Sequence, residues 1–123
     1  MNPNEAQKSD LRGTILNAVD IQEELVEVPE WGVTVLVRGM TGKQRSRFLR
    51  AATNEAGEVS FDRFYPELVI ATTYDPDSRT VLFGPADRDA LNEKSATALE
   101  RLANVATRLS GLSSREVEDA KKG

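Results

Sequence analysis

The chain has 123 residues with 20 acidic and 16 basic side chains, a net charge of −4, and neither Cys nor His. That length supports one modest core rather than two domains. The two missing residue types exclude disulfides, thiolate chemistry and a histidine proton shuttle, and they remove the commonest nitrogen metal ligand. No apolar run approaches the ~18 residues that would span a bilayer, and the polar opening MNPNEAQKSD lacks the apolar stretch of a secretory signal. A cytoplasmic site of action is expected.

Residues 1–9 read as a solvated, disordered tail. Ser9 can cap a helix over Asp10–Ala18, with Leu11, Ile15 and Val19 on one face and Gly13 as a weakness. EELVEVPEWGVTVLVRG then reads as two strands around a turn at 29–32, with Val33, Val35 and Val37 on one face and Thr34, Leu36 and Arg38 on the other. A lone hairpin is marginally stable, so the valine face must pack on helices. Trp31 at the tip reads as a satellite of that core.

The next stretch, RGMTGKQRSRFLR from Arg38 to Arg50, is the most basic in the chain. Those thirteen residues carry +5 of a net −4, so the remaining 110 carry −9. Thr41 stands three residues before Gln44, the spacing of a capping box, so a helix is predicted from Gly42 to about Thr53. Phe48, Leu49 and Ala52 form its apolar seam, and Arg45, Arg47 and Arg50 face solvent. A phosphate loop needs G-x-x-x-x-G-K-[ST], whereas Gly39 and Gly42 are three apart and Lys43 precedes Gln44. Nucleotide binding is set aside on that ground.

NEAGEVS is a polar loop, and Phe61, Phe64, Tyr65, Leu68, Val69 and Thr72 recur at helical spacing over Phe61–Thr73. Pro66 suits only a first turn, so the helix could start as late as Tyr65 or Pro66. YDPDSRT begins like a calcium loop, but the required Gly and Glu do not follow, which leaves ordinary turn chemistry. Gly84-Pro85 opens a short helix carrying Asp87 and Asp89 near its positive end, and Leu91 closes it on the core. Ser95 caps another helix with a seam of Leu99, Leu102, Ala103, Ala106 and Leu109, stopped at Ser110-Gly111-Leu112. Residues 113–123 open on a second capping box but offer few apolar contacts, so a weak or partner-ordered helix is expected there. The fold class is α+β: a mostly helical single domain over 10–112, with an N-terminal β-hairpin packed on about four helices and flexible termini.

The order of these pieces resembles the tail assembly chaperones of long-tailed bacteriophages and their prophages. The resemblance rests on Trp31-Gly32 before the valine strand, Arg38-Gly39-Met40-Thr41-Gly42 into the helix, Asp75-Pro76 with Leu82-Phe83 after it, Asp87 followed by Leu91, and Leu109-Ser110-Gly111-Leu112. It covers roughly residues 11–112. It implies a non-enzymatic protein of the host cell cytoplasm, absent from the finished virion, that binds the tape measure protein and keeps it soluble while the tail tube polymerises. It also implies self-association into a ring or helical array, and a longer form made by a programmed frameshift that would meet the tail tube protein.

Two apolar seams are candidates for contact with such a partner: Phe48 and Leu49 on one helix, and Leu99, Leu102, Ala106 and Leu109 on the other, with Arg45 and Arg47 as basic neighbours. For each apolar residue the competing expectation is internal core. A rival function is a small nucleic-acid-binding regulator using the basic helix 43–50, but one basic turn on an acidic body neutralises few phosphates. No catalytic constellation, metal set or cofactor motif stands out, and no membrane segment is expected.

Overall fold

The computed structural model describes residues 3–112, with side chains from Asp10 onward. The C-terminal helix expected over 113–123 lies outside the described residues. Alternation in EELVEV and VTVLVR builds β1 (Glu23–Val28) and β2 (Val33–Arg38), an antiparallel pair with Val26 opposite Val35 and Val28 opposite Val33. Gly32 sits at φ 65° in the connecting turn, a left-handed conformation that glycine adopts without a Cβ penalty. A third strand, β3 (Thr73–Tyr74), adds antiparallel to β2 and gives the order β1-β2-β3. Two residues are too short to show a period, and the sequence reading had folded Thr73 into the preceding helix.

Among the described residues five α-helices accompany this sheet: α1 (Pro3–Leu16), α2 (Gly42–Ala52), α3 (Phe61–Thr72), α4 (Arg88–Asn92) and α5 (Ala96–Ser110), with a single 3-10 turn at Pro85–Asp87 leading into α4. The inner sheet face, Val26, Val28, Val35 and Val37, joins Phe64, Leu68 and Val69 of α3 and Leu99, Leu102, Ala103 and Ala106 of α5 in one core. α3 is the hub, packing on α2, α4 and α5. The Phe48 ring of α2 meets Phe64 of α3 edge to face at 5.4 Å. Each fully buried Leu or Phe of this kind contributes about 1.5–3 kcal/mol. Small residues at Ala98, Ala103 and Ala106, all essentially unexposed, let α5 approach closely.

Several boundaries depart from the sequence reading. α1 starts at Pro3, whose fixed φ suits a first helical position, so Ser9 lies inside the helix rather than capping it. It ends at Leu16, where both the backbone amide and the side-chain amide of Asn17 donate to the Gly13 carbonyl. Val19 therefore lies beyond the helix and is 98% exposed. Val33, at the turn end of β2, is 47% exposed and does not share the burial of Val35 and Val37. α3 begins at Phe61 as its helical spacing predicts, so the alternative late start at Tyr65 or Pro66 does not hold and Pro66 lies inside the helix.

Candidate partner-binding surfaces

The basic turn is placed by three anchors. Gly39 N donates to the Gln22 carbonyl at 2.9 Å, and Met40 N donates to Ser110 Oγ at 3.1 Å. Gly39 also lies so close to the Leu109 carbonyl that a Cβ would stand 2.6 Å from its oxygen. The expected capping box is present: Gln44 N donates to Thr41 Oγ1 at 3.1 Å, and Thr41 N donates to Gln44 Oε1 at 2.9 Å. Gln44 Nε2 then donates to the Tyr74 hydroxyl at 3.2 Å, tying the helix start to β3.

So oriented, α2 lays Gln44, Arg47, Phe48 and Ala51 opposite Glu67, Ile70 and Ala71 of α3. The segment Val81–Pro85 closes the other side, leaving an open, mainly apolar groove of about 360 Å³. That wall is shaped by the Asp75–Thr80 turn, in which Asp75 Oδ1 accepts from the amides of Asp77 and Ser78, and by Asp87 Oδ2, which accepts from Gly84 N at 2.8 Å. Glu67 is the acid in this lining and is only 9% exposed. Its nearest cation, Arg88, stands 3.8 Å away. Burial raises the Glu67 pKa above the usual carboxylate value against the opposing pull of Arg88 and Arg63.

The outer face of the sheet forms a second surface. Leu25 pairs with Leu36, Leu36 with Tyr74, and Tyr74 bridges to Val81, so one apolar row crosses the sheet in register. Leu36 and Tyr74 in its middle are buried, while Leu25 and Val81 at its ends are 62% and 55% exposed. Arg38 lies over the Tyr74 ring at 5.3 Å, and Glu23 pairs with both Arg79 at 2.6 Å and Arg38 at 3.2 Å. The Arg79 contact is the leading cause of the lowered Glu23 pKa.

The residues singled out from sequence fall in different places. Leu99, Leu102 and Ala106 are core residues, 6%, 1% and 0% exposed, so this seam holds α5 to the sheet and α3 rather than facing a partner. Leu49 and Leu109 are half-buried against the same core. Phe48 is buried yet lines the groove, beside the exposed Arg47; Arg45 is half-buried. Glu67, Ile70, Val81 and Phe83 were missed as groove residues. The signal available for them was the apolar run Val81-Leu82-Phe83 just after a polar turn.

Among the described residues no group of three or more His, Cys, Asp or Glu side chains is placed to hold a metal ion. No described helix is long and apolar enough to cross a membrane.

A family described as "Phage tail assembly chaperone" matches residues 10–122. The chain belongs to this family. The structure of the bacteriophage HK97 tail assembly chaperone is similar in fold, with a TM-score of 0.53 and 21% identity, over 81% of this chain and 97% of that one. A search of curated proteins gave no match. The groove and the outer row are therefore surfaces of a phage tail assembly chaperone, and the Trp31-Gly32 and Arg38–Gly42 motifs that carried the resemblance have structural duties in it. Trp31 packs against the core, and Gly39 makes the close approach to α5.

Proposed function

We propose that this chaperone binds the tape measure protein of a phage tail in the host cytoplasm, keeping it soluble while the tube polymerises, and that it holds its partner rather than transforming it. The observation that carries this reading is the apolar row on the outer sheet face, whose exposed ends, Leu25 and Val81, have Leu82 at 42% exposure as a neighbour. Exposed apolar surface bordered by charge marks an interaction site. A long amphipathic helix left unassembled exposes a matching stripe. Many weak contacts along one long ligand add up through avidity, so each copy needs only a modest surface. The exposed Arg47 would attract acidic segments of the partner. A frameshifted longer form and contact with the tail tube protein belong to the same proposal.

The test is co-expression of tagged chaperone with the tape measure protein. Soluble, co-purifying tape measure protein is expected, and Leu25→Asp should reduce its retention without unfolding the domain. A folded chaperone that never retains the tape measure protein overturns the reading.

A further inference from the structure

The groove between α2, α3 and Val81–Pro85 does not end at Phe83. The same ring lines a second recess of about 370 Å³, formed with Trp31 from the hairpin turn, Leu91 of α4 and Lys94 just beyond it. The two recesses therefore adjoin as one apolar trough, with Phe48 and Ile70 on one side of Phe83 and Trp31 on the other. Ile70, Phe83 and Trp31 all pack against the core yet are only half-buried. Aromatic rings packed on one side and open on the other are the groups that interfaces use as anchors.

The charge bordering this trough leaves one sign unanswered. Arg38 and Arg79 pair with Glu23, Arg101 with Glu30 and Arg108 with Glu24. Glu67, the acid in the lining, has Arg88 at 3.8 Å, and burial favours its neutral form. Arg47 and Lys94, one in each recess, are exposed, and their side chains have no ion pair or hydrogen bond among the described residues. At 100° per residue, Lys43, Arg47 and Arg50 fall within an arc of about 60° and span about 10 Å along α2. All three are exposed, so they form a cationic rim beside the apolar bed.

We propose that this trough receives an amphipathic helix of a partner protein, with large apolar side chains seated on either side of Phe83 and carboxylates facing Lys43, Arg47 and Arg50. A helix satisfies its own backbone, so it can lie on side chains alone, and anchors at i, i+4 and i+7 form a single ridge along it. Acidic residues beside that ridge answer the unpaired cations, so the trough chooses which helical stretch is held. The outer sheet row, whose Glu23, Arg38 and Arg79 pair with one another, makes no such choice. A second copy is a poor occupant, because the exposed α1 stripe of Leu11, Ile15 and Leu16 carries Arg12, a like charge to Arg47. The inference rests on the chaperone reading only for the source of the helix, an acid-flanked stretch of the tape measure protein.

Trp31 is the only tryptophan in the chain and lines the second recess, so its fluorescence reports occupancy. The probe is a tryptophan-free helical peptide with leucines at i, i+4 and i+7 flanked by glutamates, set against the same peptide with lysines in their place. The glutamate peptide should shift Trp31 emission, more weakly as salt rises, and the lysine peptide should not. Arg47→Glu, at an exposed position outside the core, should weaken the glutamate peptide by about tenfold and favour the lysine peptide. Phe83→Ser should abolish the shift, with circular dichroism confirming that the variant is folded. Equal response to the two peptides, or a glutamate-peptide affinity unchanged by Arg47→Glu, overturns the proposal. Trp31 emission that shifts with protein concentration alone also overturns it, by placing a second copy in the trough. Retention of the tape measure protein separates this inference from the chaperone reading: equal retention by parent and Arg47→Glu chains overturns the trough and leaves that reading standing. Glutamate-peptide binding by a parent chain that never retains the tape measure protein does the reverse.

Discussion

Asn92 Nδ2 donates a 2.8 Å hydrogen bond to the backbone carbonyl of Asp62. That carbonyl lies four residues before Pro66, which has no N–H to offer it, so the end of α4 supplies the donor that the proline removes from α3. The compensation explains how α3 carries Pro66 without breaking. It also explains why α4, only five residues long, is held against α3.

Asn92→Ala should therefore destabilise the fold by about 0.5–1.5 kcal/mol, toward the lower end because the site is exposed and water can replace the amide. Urea denaturation of the two chains measures it. A variant indistinguishable from the parent would mean that α3 tolerates Pro66 unaided.

Gly39→Ala should cost more. The added methyl would stand 2.6 Å from the Leu109 carbonyl oxygen, and that atom belongs to α5 backbone rather than to a side chain that can swing away. Overpacking of this kind costs about 1–3 kcal/mol, and here it also pushes against the Gly39–Gln22 and Met40–Ser110 hydrogen bonds. A thermal midpoint lowered by less than about 2 °C would show that the α5 terminus yields.

These two sites show what sequence can and cannot reveal. The Thr41–Gln44 box, the Ser95 cap and the Gly111 stop at φ 66° were legible because their determinants lie within a few residues of one another. The hairpin was legible because its alternation spans six residues on each side. β3 was not, since two residues carry no period and Tyr74 is recruited by Leu36, far away in the chain. The groove was illegible for the same reason: Phe48, Ile70 and Phe83 come from three segments whose meeting is decided by packing. Helical periodicity selects an apolar face equally well for core or partner, so Leu99 and Leu102 read as a candidate surface although α3 and the sheet cover them. The α1 stripe is the converse, apolar by pattern and uncovered in the fold.

Thr73→Val should be neutral or stabilising by about 1 kcal/mol. Thr73 is 0% exposed, and its Oγ1 has no hydrogen-bond partner among the described residues, whereas the neighbouring Thr72 Oγ1 donates to the Leu68 carbonyl at 2.6 Å. Valine keeps the shape and removes the unpaired hydroxyl. Thr72→Val is the contrast, since it deletes a made bond. If both variants lose stability equally, the Thr73 hydroxyl has a partner after all.

Glu67→Gln should change how stability depends on pH. Burial raises the Glu67 pKa in the folded state above the ordinary value of 4.5, with Arg88 and Arg63 opposing it. Above 4.5 the folded chain then holds a proton that the unfolded chain has released, so the favourable contribution is complete below 4.5 and is lost as pH rises through the folded value. Glutamine stays neutral throughout, so the stability of the variant relative to the parent should increase from about pH 4 to about pH 7. Glu23 and Glu30 act oppositely, held low chiefly by hydrogen bonds from Arg79 and Arg101, and their contributions fade only as pH falls through their lowered values. Both carboxylates are solvent-screened and titrate below the Glu67 window, so they do not mask it. Denaturation midpoints that run parallel for parent and variant across that range would show that Arg88 compensates the buried carboxylate fully.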